Sequence, residues 1–360
     1  MKKIIVGIIV LVVVVWGGVK LFGTKEEKIK ETIKIGVIAP LSGSVAFMGE
    51  GLRDAILMAK DDLGKTKHKY EIIFEDGQVN SKDFATAANK LINIDKVNAI
   101  IDITSAGNAV SPIAEQNQVL HFGIANDQNI AKGDYNFIHM VPPIKTTKLF
   151  VEELQKRNIK KLGIFELKQE GVVALMNALK ENLKNSGIEI VTDQMFDSEQ
   201  KDFKTMIAKA KTSNAQIYLL LAFSPHVEII AKQINEMGIK TPLTSIQSFE
   251  LTKERNLFEG QWYVSAVEPK NNYIKKFEDK YKKSPSLGSM NGYDLFNLIV
   301  LASESAKDLN SKNESIKNSL ITIKNFDGVF GPVTIDNEGI IAFEPAVKII
   351  KEGKPVTIDQ

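Results

Sequence analysis

From residue 32 onward, short runs of β-branched and aliphatic residues alternate with longer stretches whose apolar positions recur every three or four residues. The first pattern predicts buried strands and the second amphipathic helices. Thr32 to Ala39 reads as a strand stopped by Pro40, and Leu52, Ile56, Ala59 and Leu63 form the apolar stripe of a helix over 49–63. Strands are expected at 70–75, 97–101 and 119–124, with a helix capped by Ser81 and another over 109–118 between them. This βαβαβαβ order implies a parallel sheet with right-handed crossovers. The pattern then restarts. Helices at 146–157, 172–185, 201–211 and 227–237 alternate with strands at 162–165, 188–191 and 217–222, and Gly187 and Gly238 sit at helix stops. A strand near 262–267 leads into helices at 272–283 and 292–309. The tail reads as a β-hairpin of 333–335 and 340–350 around Asp336-Asn337-Glu338-Gly339. The expected fold is α/β, with two doubly wound parallel-sheet lobes.

The first residues break the pattern. Lys2 and Lys3 precede an apolar run from Ile4 to Val19, about 24 Å long as a helix. A basic start followed by an apolar run reads as an export segment. Trp16-Gly17-Gly18-Val19-Lys20 is a poor small-x-small cleavage site, and no cysteine follows to make a lipoprotein. The reading is an uncleaved anchor over 1–23, with a cleaved signal as the alternative, then a charged linker over 24–32. The body therefore lies outside the cytoplasm.

Composition narrows the chemistry. Lys+Arg 46 against Asp+Glu 44 leaves a net charge of +2. That is no basic excess for phosphate neutralisation, so no nucleic-acid partner is expected. With Cys 0, disulfides, thiolate metal sites and cysteine nucleophiles drop out. The four histidines, His68, His121, His139 and His226, show no metal-ligand spacing, and there is no G-x-S-x-G elbow. Gly49-Glu50-Gly51-Leu52-Arg53-Asp54 imitates a dinucleotide fingerprint but has Asp54 in place of the third glycine. It reads as a glycine-loosened helix start, with dinucleotide binding as the alternative. No cofactor, metal or catalytic group is expected.

What remains is a set of loops at strand C-termini, where open α/β sheets bind ligands. These are Pro40 to Gly49, Asp102 to Asn108, and Ala125-Asn126-Asp127-Gln128. Thr104 and Ser105 open a helix, so their backbone amides either face an anion or make an ordinary N-cap.

The run Ile35-Gly36-Val37-Ile38-Ala39-Pro40-Leu41-Ser42-Gly43, followed by Gly49-Glu50-Gly51, resembles the start of type I periplasmic binding proteins. The branch it is most similar to is the Leu/Ile/Val-binding, branched-chain amino-acid receptors of ABC transporters. Phe74-Glu75-Asp76 before an Ala-Asn-Lys-Leu helix, Asp202-Phe203, and Phe330-Gly331-Pro332-Val333 agree in order. The resemblance runs from Ile33 to the C-terminus. It implies two lobes joined by three hinge crossings, placed near 140–143, 265–269 and 326–331. Lobe 1 is then 33–141 plus 266–327, and lobe 2 is 142–265 plus 328–360. It further implies that ligand is buried between the lobes on closure.

The same resemblance assigns the site. Ser105, with Thr104 beside it, would hold a carboxylate. Ala125 and Asp127, with Asn126 between them, would receive an ammonium, the alternative for Asp127 being a turn cap. Phe223 would be the aromatic wall from lobe 2. Gln247 stands where relatives place an acid, so either Asp127 has taken over the ammonium or the ligand is another small solute. Gly171 replaces a frequent tyrosine and would widen the pocket. Ser42, Phe47 and Met48 belong to a loop that contacts the ligand side chain, with plain loop packing as the alternative for Phe47 and Met48.

The function implied is a small-solute receptor, for an amino acid or similar amine, delivering to an ABC permease and ATPase complex as a monomeric, membrane-tethered ectodomain. A ligand-binding sensor on the same fold is the alternative, and an enzyme is disfavoured by the empty catalytic search.

Overall fold

The computed structural model describes residues 31–43, 45–252, 254–307 and 311–358. The expected anchor over 1–23 and residues 24–30 of the linker lie outside the described residues. Among the described residues, no helix is long and apolar enough to cross a membrane.

The first body begins β1 (Thr32–Ala39), α1 (Ala46–Asp61), β2 (Lys69–Asp76), α2 (Ser81–Lys90), β3 (Ala99–Ile103), α3 (Ser111–Gln116), β4 (Leu120–Ile124) and β5 (Asn136–His139). The second takes α4 (Pro143–Lys156), β6 (Lys161–Leu167), α5 (Glu170–Leu183), β7 (Glu189–Phe196), α6 (Lys204–Thr212), β8 (Ile217–Leu221), α7 (His226–Glu236), β9 (Leu243–Ser245), α8 (Ser248–Leu251) and β10 (Trp262–Ala266). The chain then returns with α9 (Asn271–Tyr281), α10 (Ser289–Ser305), α11 (Lys312–Leu320), β11 (Phe326–Gly328), β12 (Gly331–Ile335) and β13 (Ile340–Ala342). It crosses once more to β14 (Pro345–Lys351) and β15 (Lys354–Thr357).

The first sheet has the order β11-β12-β13-β5-β4-β3-β1-β2. Its pairs from β2 through β13 are parallel, whereas β11–β12 and β12–β13 are antiparallel. Strands β3 and β4 are buried along their whole length. That is why they read as mostly apolar runs, broken only by Asp102 in β3 and His121 in β4, with helices covering both faces. Leu52, Ile56, Leu295 and Ile299 from α1 and α10 pack on one face, and Phe84 and Ala88 from α2 on the other. The N-cap of α2 is Asn80, not the expected Ser81: the Asn80 side chain accepts from the Asp83 amide at 2.9 Å.

The second body holds the parallel order β7-β6-β8-β9 and an antiparallel order β10-β14-β15. A bridge from Ile246 to Val264 joins the two. Phe150, Phe165, Tyr218, Trp262, Val347 and Ile350 share its core.

The third crossing differs from the sequence reading. Residues 328–360 were expected in lobe 2, with the crossing near 326–331. In the structure β13 pairs in parallel with β5, and Val333, Ile335 and Phe343 lie in the first core. The change of body falls at 342–345, where β14 leaves to pair with β10. The expected hairpin turn at 336–339 is present between β12 and β13. However, its second arm ends at Ala342 instead of running to residue 350, because Ile341 and Ile350 serve different cores.

Candidate functional site

Four loops meet where the two bodies face each other. From the first body come Thr104–Ser105 after β3 and Ala125–Asp127 after β4. From the second come Gln169–Gly171 at the start of α5 and Gln247 between β9 and α8. Side chains bond directly across the gap. Gln169 Nε2 donates to Ser105 Oγ at 3.3 Å, and Asn126 Nδ2 donates to Gln247 Oε1 at 3.2 Å. Asn108 Nδ2 bridges Asp127 Oδ2 at 2.7 Å and Glu170 Oε2 at 2.9 Å. Ser105, Asn126, Asp127 and Gln247 are all buried.

Each wall carries a strained backbone residue. Thr104 sits at φ 101°, ψ 162°, a region foreign to a β-branched side chain. Gln247 sits at φ 68°, ψ −32°, at the centre of a γ-turn closed by the Ser248 amide on the Ile246 carbonyl at 2.9 Å. Such conformations cost about 1–3 kcal/mol each and persist where surrounding structure enforces them, often at ligand clamps.

Two residues before Thr104, Asp102 belongs to a buried polar stack. His121 Nε2 lies 2.8 Å from Asp102 Oδ2, and His121 Nδ1 lies 2.9 Å from Asn136 Oδ1. The Asn136 amide donates to Glu115 and to the Lys132 carbonyl, so its oxygen faces the ring. Nδ1 therefore donates to Asn136. Burial pushes the Asp102 carboxyl up, against the opposing pull of His121. The turn after Ser105 rests on this carboxyl: a Cβ at Gly107 would lie 2.7 Å from Asp102 Oδ1.

The other expected site residues scatter. Asp127 caps the turn over 128–131, its Oδ1 accepting from the Asn129 amide at 3.0 Å and from Asn129 Nδ2 at 2.8 Å. Ala125 is buried in the first core, and Met48 packs against it. Phe223 is half-buried against the second core, and its carbonyl accepts from the His226 amide at 2.9 Å. Ser42 is exposed and hydrogen-bonded to Asp76. The space that Gly171 frees is not left open. An added Cβ there would meet Ser105 Oγ at 3.0 Å and Gln169 Oε1 at 3.1 Å.

Open space lies instead on the hinge side, as a crevice of about 810 Å³ lined from both bodies. Phe47 and Gln247 reach it, together with Met140, Ser265, Met290 and Phe343. Three of its charged residues had no motif to announce them: Glu228, Glu250 and Lys348. Lys348 is buried, with Nζ 2.7 Å from Glu250 Oε1 and 3.1 Å from Glu268 Oε1. Tyr263 and Ser265 also donate to Glu250. Nearby, His139 ends β5 beside the first crossing. Burial holds its ring down to about 3 and neutral. Its Nε2 is 4.0 Å from Asp294, whose carboxyl burial pushes up to about 7 although the Val329 amide donates to it. Among the described residues, no group of three or more His, Cys, Asp or Glu could hold a metal ion.

Comparison with known proteins fits this geometry. The model of a family described as periplasmic binding protein matches residues 32–345. A Leu/Ile/Val-binding protein homolog 7 from Brucella abortus (strain 2308) is 23% identical over 297 residues, covering 74% of each chain. Among solved structures, a branched-chain amino acid transporter substrate binding protein from Streptococcus pneumoniae, in complex with isoleucine, superposes with a TM-score of 0.81. It is 22% identical and covers 90% of this chain and 98% of that one. An ABC transporter solute binding protein from R. palustris, in complex with benzoate, has a TM-score of 0.82 and 16% identity. It covers 91% of this chain and 95% of that one.

Proposed function

Since the chain belongs to the periplasmic binding protein family, a family of solute-binding receptors, we propose that it serves an ABC importer by closing around a small amine-bearing solute, such as an amino acid. The observation that carries the reading is the pair of walls that bond across the gap at Ser105–Gln169 and Asn126–Gln247, each built on a strained residue. No bond is made or broken. The closed form contacts solute from both bodies, so solute shifts the population toward closure. Permease subunits then read the closed shape, and an ATPase drives transport behind them. The isoleucine and benzoate held by two structural neighbours set the size of solute expected. The receptor works outside the cytoplasm, held at the membrane by the apolar run of residues 4–19.

In this reading the ligand lies between the walls that carry Ser105, Asn126 and Gln247, and reaches into the hinge-side crevice that Gln247 also lines. The test is a thermal-shift panel of amino acids and aromatic acids, followed by small-angle scattering with each hit. A ligand selective for the folded form raises the melting temperature by mass action, and closure lowers the radius of gyration. Ser105→Ala should weaken a carboxylate-bearing hit by about tenfold, the value of one hydrogen bond of roughly 1–1.5 kcal/mol. A confirmed ligand that leaves the scattering curve unchanged would reject the clamp.

A further inference from the structure

The hinge-side crevice has an unbalanced charge. Glu228, Glu250, Glu254, Glu268 and Glu278 line it against Arg255 and Lys348. Most of these charges are engaged. Lys348 bridges Glu250 and Glu268, Glu254 pairs with Lys232 at 2.6 Å, and Glu278 accepts from Ser284 at 2.7 Å. Arg255 Nη2 donates to the Glu250 carbonyl at 2.9 Å.

Glu228 is different. It is 5% exposed, and no cation lies within 4.0 Å of it among the described residues. Both of its hydroxyl partners, Ser224 and Thr252, donate to the same oxygen, Oε1. Its Oε2 is buried and has no hydrogen-bond partner. The residue stands in the first turn of α7, where the helix dipole favours negative charge. The fold thus holds one carboxylate oxygen in place and leaves the other buried without a partner, on a residue that lines a crevice rich in like charge. A buried polar atom left without a partner is costly and calls for an explanation. The wall also carries uncharged polar groups, Gln247 and Asn291 among them, and an apolar share that includes Phe47, Leu251, Ile274, Leu287, Met290 and Phe343. The volume of about 810 Å³ falls within the range of about 300–1,000 Å³ for small-molecule pockets.

We propose that Glu228 is the counter-charge for a protonated amine, and that the solute taken into this crevice is a cation with an apolar body. The inference rests on the crevice being the ligand chamber of a solute receptor, and it moves the amine contact from Asp127 to Glu228. Asp127 already spends both oxygens on Asn129 and Asn108. With more carboxylates than cations on the wall, a solute of net positive charge is favoured over a zwitterion of the same body.

The probes are phenethylamine, 2-phenylethanol and phenylalanine, titrated calorimetrically into the purified full chain. Phenethylamine should bind about tenfold to a hundredfold more tightly than the neutral alcohol, the range for a charge-assisted hydrogen bond. It should also bind at least as tightly as phenylalanine. In Glu228→Gln the amine and the alcohol should bind equally, while Asp127→Asn should keep the preference. Melting curves check that each variant folds. Should Glu228→Gln fail to fold, Glu228→Asp replaces it, and the wild-type comparison stands by itself. The proposal is overturned by equal binding of amine and alcohol to wild type, tighter binding of phenylalanine, no binding of phenethylamine, or a preference that survives in Glu228→Gln. The two readings fail separately. An amino acid that closes the protein while phenethylamine does not bind leaves the receptor standing and removes Glu228. If no solute closes the protein, the receptor reading itself falls.

Discussion

Replacing Gly171 with leucine should prop the two bodies apart without weakening either. In the structure a Cβ at this position would already lie 3.0 Å from Ser105 Oγ and 3.1 Å from Gln169 Oε1. The remaining leucine carbons have to enter the Ser105 wall or push it back. Closure is held in part by three side-chain contacts across the gap: Gln169–Ser105, Asn108–Glu170 and Asn126–Gln247. At about 0.5–1.5 kcal/mol net each, they contribute about 1.5–4.5 kcal/mol. Losing them lowers the closed population relative to the open one by about tenfold to a thousandfold. The helix itself gains, since glycine is about 0.8–1.0 kcal/mol worse than alanine inside a helix and leucine is close to alanine. Small-angle scattering should therefore show a larger radius of gyration for Gly171→Leu, with Gly171→Ala between it and wild type. The melting temperature should hold or rise. A variant whose scattering profile matches wild type would mean that α5 does not meet Ser105 in solution, and the site would have to be rebuilt without that contact.

Two further perturbations test the hinge. Lys348→Met removes the buried cation from Glu250 and Glu268; those partners are partly exposed, so urea unfolding should show a loss of about 2–3 kcal/mol, below the roughly 3–5 kcal/mol of a fully buried pair. A loss under about 0.5 kcal/mol, as for ordinary surface substitutions, would show that the array does not hold the crossings together. Asp294→Asn tests the pH response. Burial raises the Asp294 carboxyl to about 7 in the fold, against about 3.9 unfolded. Its stabilising contribution is therefore complete below about pH 4 and is lost as the pH rises through about 7. His139, held neutral, supplies no compensating charge. Between pH 4.5 and 8 the stability difference should move in favour of Asp294→Asn by up to about 3 kcal/mol. A difference that stays constant across that range would refute the burial argument.

Much of the first sheet is legible in the sequence because β1, β3 and β4 are largely buried on both faces and so consist mostly of apolar residues. Strand β5 hides because Asn136 and His139 point polar side chains into buried networks, and β9 because it has only three residues. The misplaced third crossing has a different cause. Turn chemistry at 336–339 announces a hairpin correctly, but nothing local states that β14 will pair with β10 rather than continue the arm. Among the site residues, Ser105 comes from a loop at the end of an expected strand, which the alternation of elements locates, whereas Gln247 follows the hidden β9 and is reached only through the family resemblance. Glu228 and Lys348 do not. One looks like an ordinary acid in a first helical turn, and the other like a solvated charge in a hairpin arm, until the fold buries both and sets β14 between β10 and β15.

The late crossing at 342–345 also governs how the molecule is made. Ile340 and Ile341 pair with Ile138 and His139. The first sheet thus waits for a strand that leaves the ribosome roughly 200 residues after its neighbour, about 10–40 s at 5–20 residues per second. The second body waits slightly longer, since Val347 and Ile350 fill its core. Neither half can finish first and serve as a template for the other. Both stay incomplete through most of synthesis and become complete within a few residues of each other, so a nascent chain of this protein depends on protection from aggregation until its final strands have emerged.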